Sequence, residues 1–562
     1  MAGSAAEPEA SITNVQTAGV DEGGIVKRHG DHLVILRRGR LFTVKIGADA
    51  IKPVAMIDAY APDIDPSGAW YDEMLIASNV IAVIGYSYER GGTEIGLFDI
   101  DRAGGLKYRA TYHLRSNDYY SSRNYASRLI GDKLIFYTPM HLDVSDLGDG
   151  DFFPAVRRWH PRAAPSDFKR ILPATRIYRT DDELDPGNGI ALHTVTTCDL
   201  ATPQMQCAST AVLGPEGRVF YVSGDSVFVW TTEYPDDDAT PARSSVFRIP
   251  LAGSAPSALK TSGGPIDQLS FLQDAQGYLN VLLTSESDGE GVWKAESKEG
   301  DMALLRVHLR EFGDGSTAAK ASDYRTLPKV AGDDIQNRYV GEWLIYGTAP
   351  NRWNRSENES RTSIPAHALR YATTEAVQTL RVGHGVERIE AMGANAVLAG
   401  NAGDDLHFTS LDLRQRAQPA TVFVQRNAAQ GESRTHGFFY RQDVVDEGKT
   451  DQGIVGLPII GKARNNGMGR YLDESASVLY LGNRGLRLTR MGQLDASGKV
   501  SADDGCKASC VDWYGNARPI FIGQRVFALL GYELVEGQVS DEHIRERRRT
   551  SFAPPAAARA SH

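Results

Sequence analysis

One short pattern recurs along this chain from residue 24 to residue 530: an apolar run of strand length, a turn built on Gly or Asp, then a second apolar run. Residues 24–36 (GIVKRHGDHLVIL) and 127–137 (SRLIGDKLIFY) show it, and 212–222, 337–346, 387–398 and 519–530 repeat it. Looser copies lie at 73–85 and 269–283. Helical periodicity is nearly absent, so the runs read as paired strands. Copies are spaced by about 45 to 90 residues, with the excess in polar Gly/Pro/Asp-rich loops. After the hairpin come a third strand and a more polar fourth. Residues 220–222, 227–230, 246–249 and 258–260 show that progression.

A four-stranded sheet of this kind is apolar on both faces and needs a neighbour on each side. A ring of such sheets gives every member two neighbours and leaves only short outer edges. The expected fold is therefore all-β: a single β-propeller of about eight four-stranded blades. A string of two or three β-sandwiches would show linkers and composition breaks, and none occurs between residues 25 and 535. The last copy reads as three strands, which predicts that a strand from residues 12–16 pairs with it and closes the ring. The predicted division is a flexible segment over 1–12, the propeller over 13–540, and a polar, flexible tail over 541–562. In that tail Arg545, Arg547, Arg548 and Arg549 surround Glu546 ahead of a Pro/Ala-rich end.

A formal charge of −10 with dispersed basic residues argues against nucleic acid as the partner. No apolar run reaches the roughly 18 residues of a membrane helix. The four cysteines form two local pairs, Cys198 with Cys207 and Cys506 with Cys510. An even number, locally paired, suggests two disulfides in an oxidising compartment. The rivals are free thiols, or one zinc site, for which eight residues between the first pair is a poor spacing. The start, Met-Ala-Gly-Ser-Ala-Ala-Glu-Pro, lacks the basic and apolar regions of a signal peptide. It suits a cytoplasmic protein or an exported chain whose leader has been removed. The cysteines favour the second, placing the protein in the periplasm or outside the cell.

Residues 13–27 (TNVQTAGVDEGGIVK) resemble the opening of a bacterial and archaeal family of secreted β-propeller-domain proteins. Residues 518–537 (RPIFIGQRVFALLGYELVEG) look like the same family's end. One departure is Gly23-Gly24, where the family pattern has Ala-Asp, which puts the turn before the first blade in question. The resemblance implies an exported propeller and no common reaction.

Catalytic signatures are scarce. The string 456–463 (GLPIIGKA) is one residue short of a phosphate-binding loop, but Ala463 lacks the hydroxyl and a turn follows, so it reads as a strand. No Gly-x-Ser-x-Gly elbow and no His-Glu-x-x-His helix occurs. No metal site is predicted. Asp-rich loops at 146–151 and 236–238 allow structural calcium, and no other cofactor is expected. Propeller ligands bind at the loops and the central channel, so candidate binding residues come from there. They are the acidic pair Asp21 and Glu22, then Tyr119, Tyr120 and Arg123 in an aromatic and polar loop. Arg434 and His436 precede an inner strand, and Trp513 lies beside the second cysteine pair. The expected function is a binding or scaffolding protein for a protein, peptide or glycan partner. The alternative is an exported hydrolase or lyase with its site at the propeller face or axial channel.

Overall fold

The structure, a computed structural model, describes residues 12–117, 126–143, 153–233, 243–287, 298–330, 334–349, 364–445, 448–461, 477–497 and 504–555. These residues form nine antiparallel-based sheets in chain order, with short 3-10 turns and no α-helix among them. The fold is a single β-propeller, with nine sheets in place of the expected eight or so.

The strands follow from their side chains. In the first sheet, His32–Arg37 (HLVILR) is buried at every position, and the outermost strand, Ile51–Asp58, is mostly exposed. An inner strand thus has neighbours on both faces, and an outer one meets water. Each sheet packs against the next through its own apolar cluster, such as Val34 and Leu41 of the first sheet with Ile81 and Val83 of the second. The ninth sheet packs on the first in the same way, through Phe527 and Leu529 against Phe42 and Val44. Fully burying one such side chain is worth about 1.5–3 kcal/mol. Buried aromatics keep their polar atoms satisfied across these interfaces. Tyr480 of the eighth sheet donates to the Phe527 carbonyl of the ninth at 2.7 Å, and Trp343 of the sixth donates to the Leu413 carbonyl at 2.9 Å.

The sheet that sequence reading missed is the eighth. Its centre is the 14-residue strand Gly448–Gly461, which carries most of the phosphate-loop look-alike and pairs with both Ala428–Gln430 and Phe439–Val445. Two short first strands opposite one long, Gly-rich second strand hide the usual hairpin spacing. The copy at 212–222 is also out of phase. Gln206–Pro215 is the last antiparallel strand of the third sheet and Gly217–Val222 the first of the fourth, so Gly214 to Gly217 joins two sheets and does not turn a hairpin.

The C-terminal end corrects a further expectation. The ninth sheet takes all four strands from its own stretch, Ala517–Ile522, Arg525–Leu530, Glu533–Ser540 and His543–Ser551. Residues 12–16 form no strand, and the supposed tail supplies the fourth. Its arginines have buried work. Glu536, 1% exposed, takes Arg525 at 2.8 Å and Arg548 at 3.1 Å, and Arg549 reaches Glu533 at 2.7 Å. Arg525 and Arg548 also donate to the carbonyls of Ile46 and Ala48, tying the ninth sheet to the first.

Both cysteine pairs are disulfides. Cys198 and Cys207 face each other across adjacent strands of the third sheet. Cys506–Cys510 closes a small loop on the way into the ninth sheet. On either side of it, Asp512 holds Arg37 at 2.9 Å and Asp504 holds Arg38 at 3.2 Å, all four side chains buried, so the loop clamps the first sheet's turn. The Ser509 amide adds a bond to the Ala69 carbonyl of the second sheet.

A chain ending at residue 541 should melt far below the full-length protein, because Glu536 loses Arg548 inside the fold, a penalty of a few kcal/mol. Circular dichroism melts of the two chains check this; a solvated tail would leave the midpoint unchanged.

Candidate functional site

The first strands of the sheets meet at the centre of the ring, and each brings polar residues there. A basic residue recurs in the first strand of several copies, three residues before the turn glycine for Lys27, Arg128 and Arg338 and five before it for Arg388 and Arg518. All five are buried. Unpaired, such charges would be costly, and carboxylates accompany them. Arg388 meets Glu390 at 2.8 Å, and Arg338 lies 3.6 Å from the same carboxyl. Arg518 meets Glu432 at 3.0 Å.

Residues 12–24 cross this centre as a plug. Asp21 and Glu22 add a two-residue strand to Ser127–Ile130 of the third sheet, and Gly24 bridges to Met74 of the second. Asn14 donates to Glu390 at 3.0 Å and to the Thr435 carbonyl at 3.1 Å. Gln16 donates to the Gln268 carbonyl at 2.6 Å, and Thr17 to the Val222 carbonyl at 3.3 Å. The plug therefore bonds to first-strand regions of the second, third, fourth, fifth, seventh and eighth sheets.

Glu22 is the electrostatic focus. His436 Nε2 lies 2.9 Å from its carboxyl, the Gln16 amide donates to it at 2.9 Å, and Arg128 is 4.0 Å away. Burial pushes its pKa up, but the Arg128 guanidinium and the His436 and Gln16 hydrogen bonds outweigh that and bring it down to about 2. Burial pushes His436 down to about 4 against the pull of the Glu22 carboxylate. At neutral pH the pair is an ionised Glu22 accepting from a neutral imidazole, whose proton must then sit on Nε2. Asp72, buried and close to Asp512, has its pKa raised well above the usual carboxylate range, against the effect of Arg434.

The structure brings five of the candidate residues into this one region. Asp21 is paired with Lys27 at 2.7 Å, and Glu22 with His436. Arg434 donates to the Trp513 carbonyl at 2.9 Å and stacks over the Tyr514 ring at 4.3 Å. Tyr119, Tyr120 and Arg123 lie outside the described residues, as do both Asp-rich loops. Among the described residues no group of three or more His, Cys, Asp or Glu is placed to hold a metal ion. Aligning the copies on their turn glycine shows these cations at two positions two residues apart, on one face of the strand.

Beside the plug lies a cavity of about 300 Å³. Ile12, Val20 and Leu129 give it apolar walls, and Asp21, Lys27 and Arg28 give it charge.

Residues 10–325, more than half of the chain, match the family model described as beta propeller domain. The chain belongs to the beta propeller domain family. Comparison with curated proteins finds no match. Among solved structures, the propeller is similar to the WD40 domain of Toxoplasma gondii coronin at 10% identity and a TM-score of 0.29, covering 59% of this chain and 70% of that one. It is similar to a Pyrococcus horikoshii acylaminoacyl peptidase at 9% identity and a TM-score of 0.29, covering 78% and 57%. A Synechocystis apocarotenoid oxygenase mutant aligns at 9% identity and a TM-score of 0.24, covering 59% and 87%. Similarities this weak say nothing about chemistry.

The departure at Gly23 has a steric reason. A Cβ there would stand 2.5 Å from Glu73 Oε2 and 2.7 Å from Ser127 Oγ, so Gly23→Ala should cost about 1–3 kcal/mol in denaturant unfolding. Acidification should destabilise the propeller. His436 has an ordinary value of 6.5 and a folded value of about 4, so the stability from keeping it neutral is complete above pH 6.5 and lost as pH falls toward 4. Buried His193, at about 3, and His384, at about 4, act with the same sign. Melting midpoints should therefore fall between those limits, and less steeply in His436→Gln.

Proposed function

We propose that this chain is an extracytoplasmic propeller that binds a partner and does not transform it, presenting its loop faces to a protein, peptide or glycan. The observation that carries this reading is the plug. Glu22 and His436, the acid–base pair an enzyme would turn toward substrate, are 3% and 6% exposed and bonded to each other. Arg388, Glu390, Glu432 and Arg518 are likewise committed to internal partners. What stays reachable is the cavity beside Asp21, Lys27 and Arg28, at the lower end of ligand-pocket sizes. It suits one sugar unit or one side chain, with Asp21 and Arg28 orienting polar groups of the partner. Trp513, Arg434 and the loop of Tyr119, Tyr120 and Arg123 are the proposed continuation of the contact surface. The two disulfides support a compartment outside the cytoplasm, and no described helix is long and apolar enough to cross a membrane. The ring is taken to close through the packing of the ninth sheet on the first.

The second reading, an exported hydrolase or lyase, draws on the Glu22–His436–Arg128 convergence and requires residues 12–24 to withdraw. Peptide and glycan arrays, run beside turnover assays on the same ligands, separate the two. Saturable binding without turnover, weakened about 10-fold in Arg28→Glu, supports the binding reading. Turnover abolished by Glu22→Gln supports the enzyme instead.

A further inference from the structure

Between the second and third strands of the third sheet the chain makes an excursion along the outer wall of the ring. Ala155–Arg158 and Lys169–Arg170 extend the outer edge of the second sheet, and Ile177–Tyr178 runs parallel to the last antiparallel strand of the third. The excursion thus spans two neighbouring sheets. The excursion is acidic in sequence at both ends, over 143–151 and 181–185, and basic between them. Residues 153–180 hold seven Lys and Arg against one carboxylate, Asp167, in a protein of net charge −10.

Among the described residues these cations lack carboxylate partners. Some surface arginines elsewhere find carboxylates, as Arg243 does with Glu233 at 2.7 Å and Arg414 with Asp412 at 2.7 Å. Among the described residues none of the seven reaches a carboxylate at ion-pair distance; Asp167 faces His160 at 3.6 Å. The side chains of Arg158, Arg162, Lys169 and Arg176 have no bonding partner there at all, and the first three are exposed. Charged outer strands do protect sheet edges from aggregation, but one or two charges suffice for that.

The track is also held in shape. Phe168 lies under the guanidinium of Arg157 at 4.5 Å and of Arg115 at 4.8 Å, and Phe153 lies under Arg170 at 3.5 Å. A guanidinium seated on a ring keeps its N–H edge for an oxyanion. The aromatic side chains here lie half-buried beneath the cations, and none of the exposed large apolar residues falls in 153–180. Protein interfaces use aromatic or aliphatic anchors at their centre, and membrane surfaces take inserted apolar groups. Neither is offered here.

We propose that this outer wall binds an acidic polysaccharide, a linear chain of repeated carboxylate or sulfate groups lying along the cation track across the second and third sheets. The site is separate from the axial cavity and stands whatever that cavity holds. The test uses the full chain with polygalacturonate as the probe, and heparin as the sulfated arm. Binding should be saturable and fall at least 10-fold between about 50 and about 200 mM salt, as release of several counterions requires. The triple variant Arg158→Glu, Lys169→Glu, Arg162→Glu should lose at least about 10-fold in affinity. Arg414→Glu with Arg426→Glu, on another outer edge, should bind as the parent does. Equal binding by the triple variant overturns the proposal. So does no binding at low salt, or tighter binding to polyglutamate or phosphatidylglycerol vesicles than to either polysaccharide.

Discussion

A sheet that is apolar on both faces cannot stand alone or end a stack, and the architecture follows from that. The second strand of the first sheet is buried at every position, so water is excluded from both of its faces. Each sheet meets this requirement by lying between two others, and the ninth and first meet it by lying against each other. That last interface has no chain continuity to help it. Polar contacts stitch it: Arg525 and Arg548 donate to the carbonyls of Ile46 and Ala48, and Arg37 and Arg38 form buried ion pairs with the carboxylates flanking the Cys506–Cys510 loop. Buried pairs of this kind add little net stability over apolar packing, but losing one partner strands the other. They therefore specify which sheet meets which.

The same packing of sheet on sheet creates the problem that the plug solves. Bringing the first strands together packs recurring cations into a small volume away from water. Glu390, Glu432 and Glu22 neutralise them, and Asn14, Gln16 and Thr17 take up neighbouring donors and acceptors. Two of those polar side chains, Asn14 and Gln16, belong to the Asn-Val-Gln that marks the family-like opening. That motif is thus the centre of the molecule, and its demands are those of satisfying buried polar groups.

Much of the ring was legible because hairpins are local. Seven of the recurring copies coincide with the starts of sheets, and two apolar runs joined by a turn are visible within each copy. The eighth sheet escaped because its glycines and its split first strand break that pattern. The C-terminal strand escaped because an Arg-rich run looks solvated until Glu533 and Glu536 are seen behind it. At the site, Asp21, Glu22, Arg434, His436 and Trp513 were legible as residues at loop ends. The pairing of Glu22 with His436 was not, because no local pattern links positions 414 apart.

The plug also sets the order in which the molecule can be assembled. Asn14 and Glu22 precede all but one two-residue strand of the nine sheets in the chain, yet groups that receive them lie 376 to 421 positions later. Until the seventh and eighth sheets exist, Asn14 has no Glu390 and Glu22 has no His436. A stretch that can pair early with the second and third sheets is fully seated only when the seventh and eighth are present, so most of the chain must be in place before the centre can fill. A ring built on these terms reports its own completion: an empty axis marks a chain whose later sheets have yet to arrive.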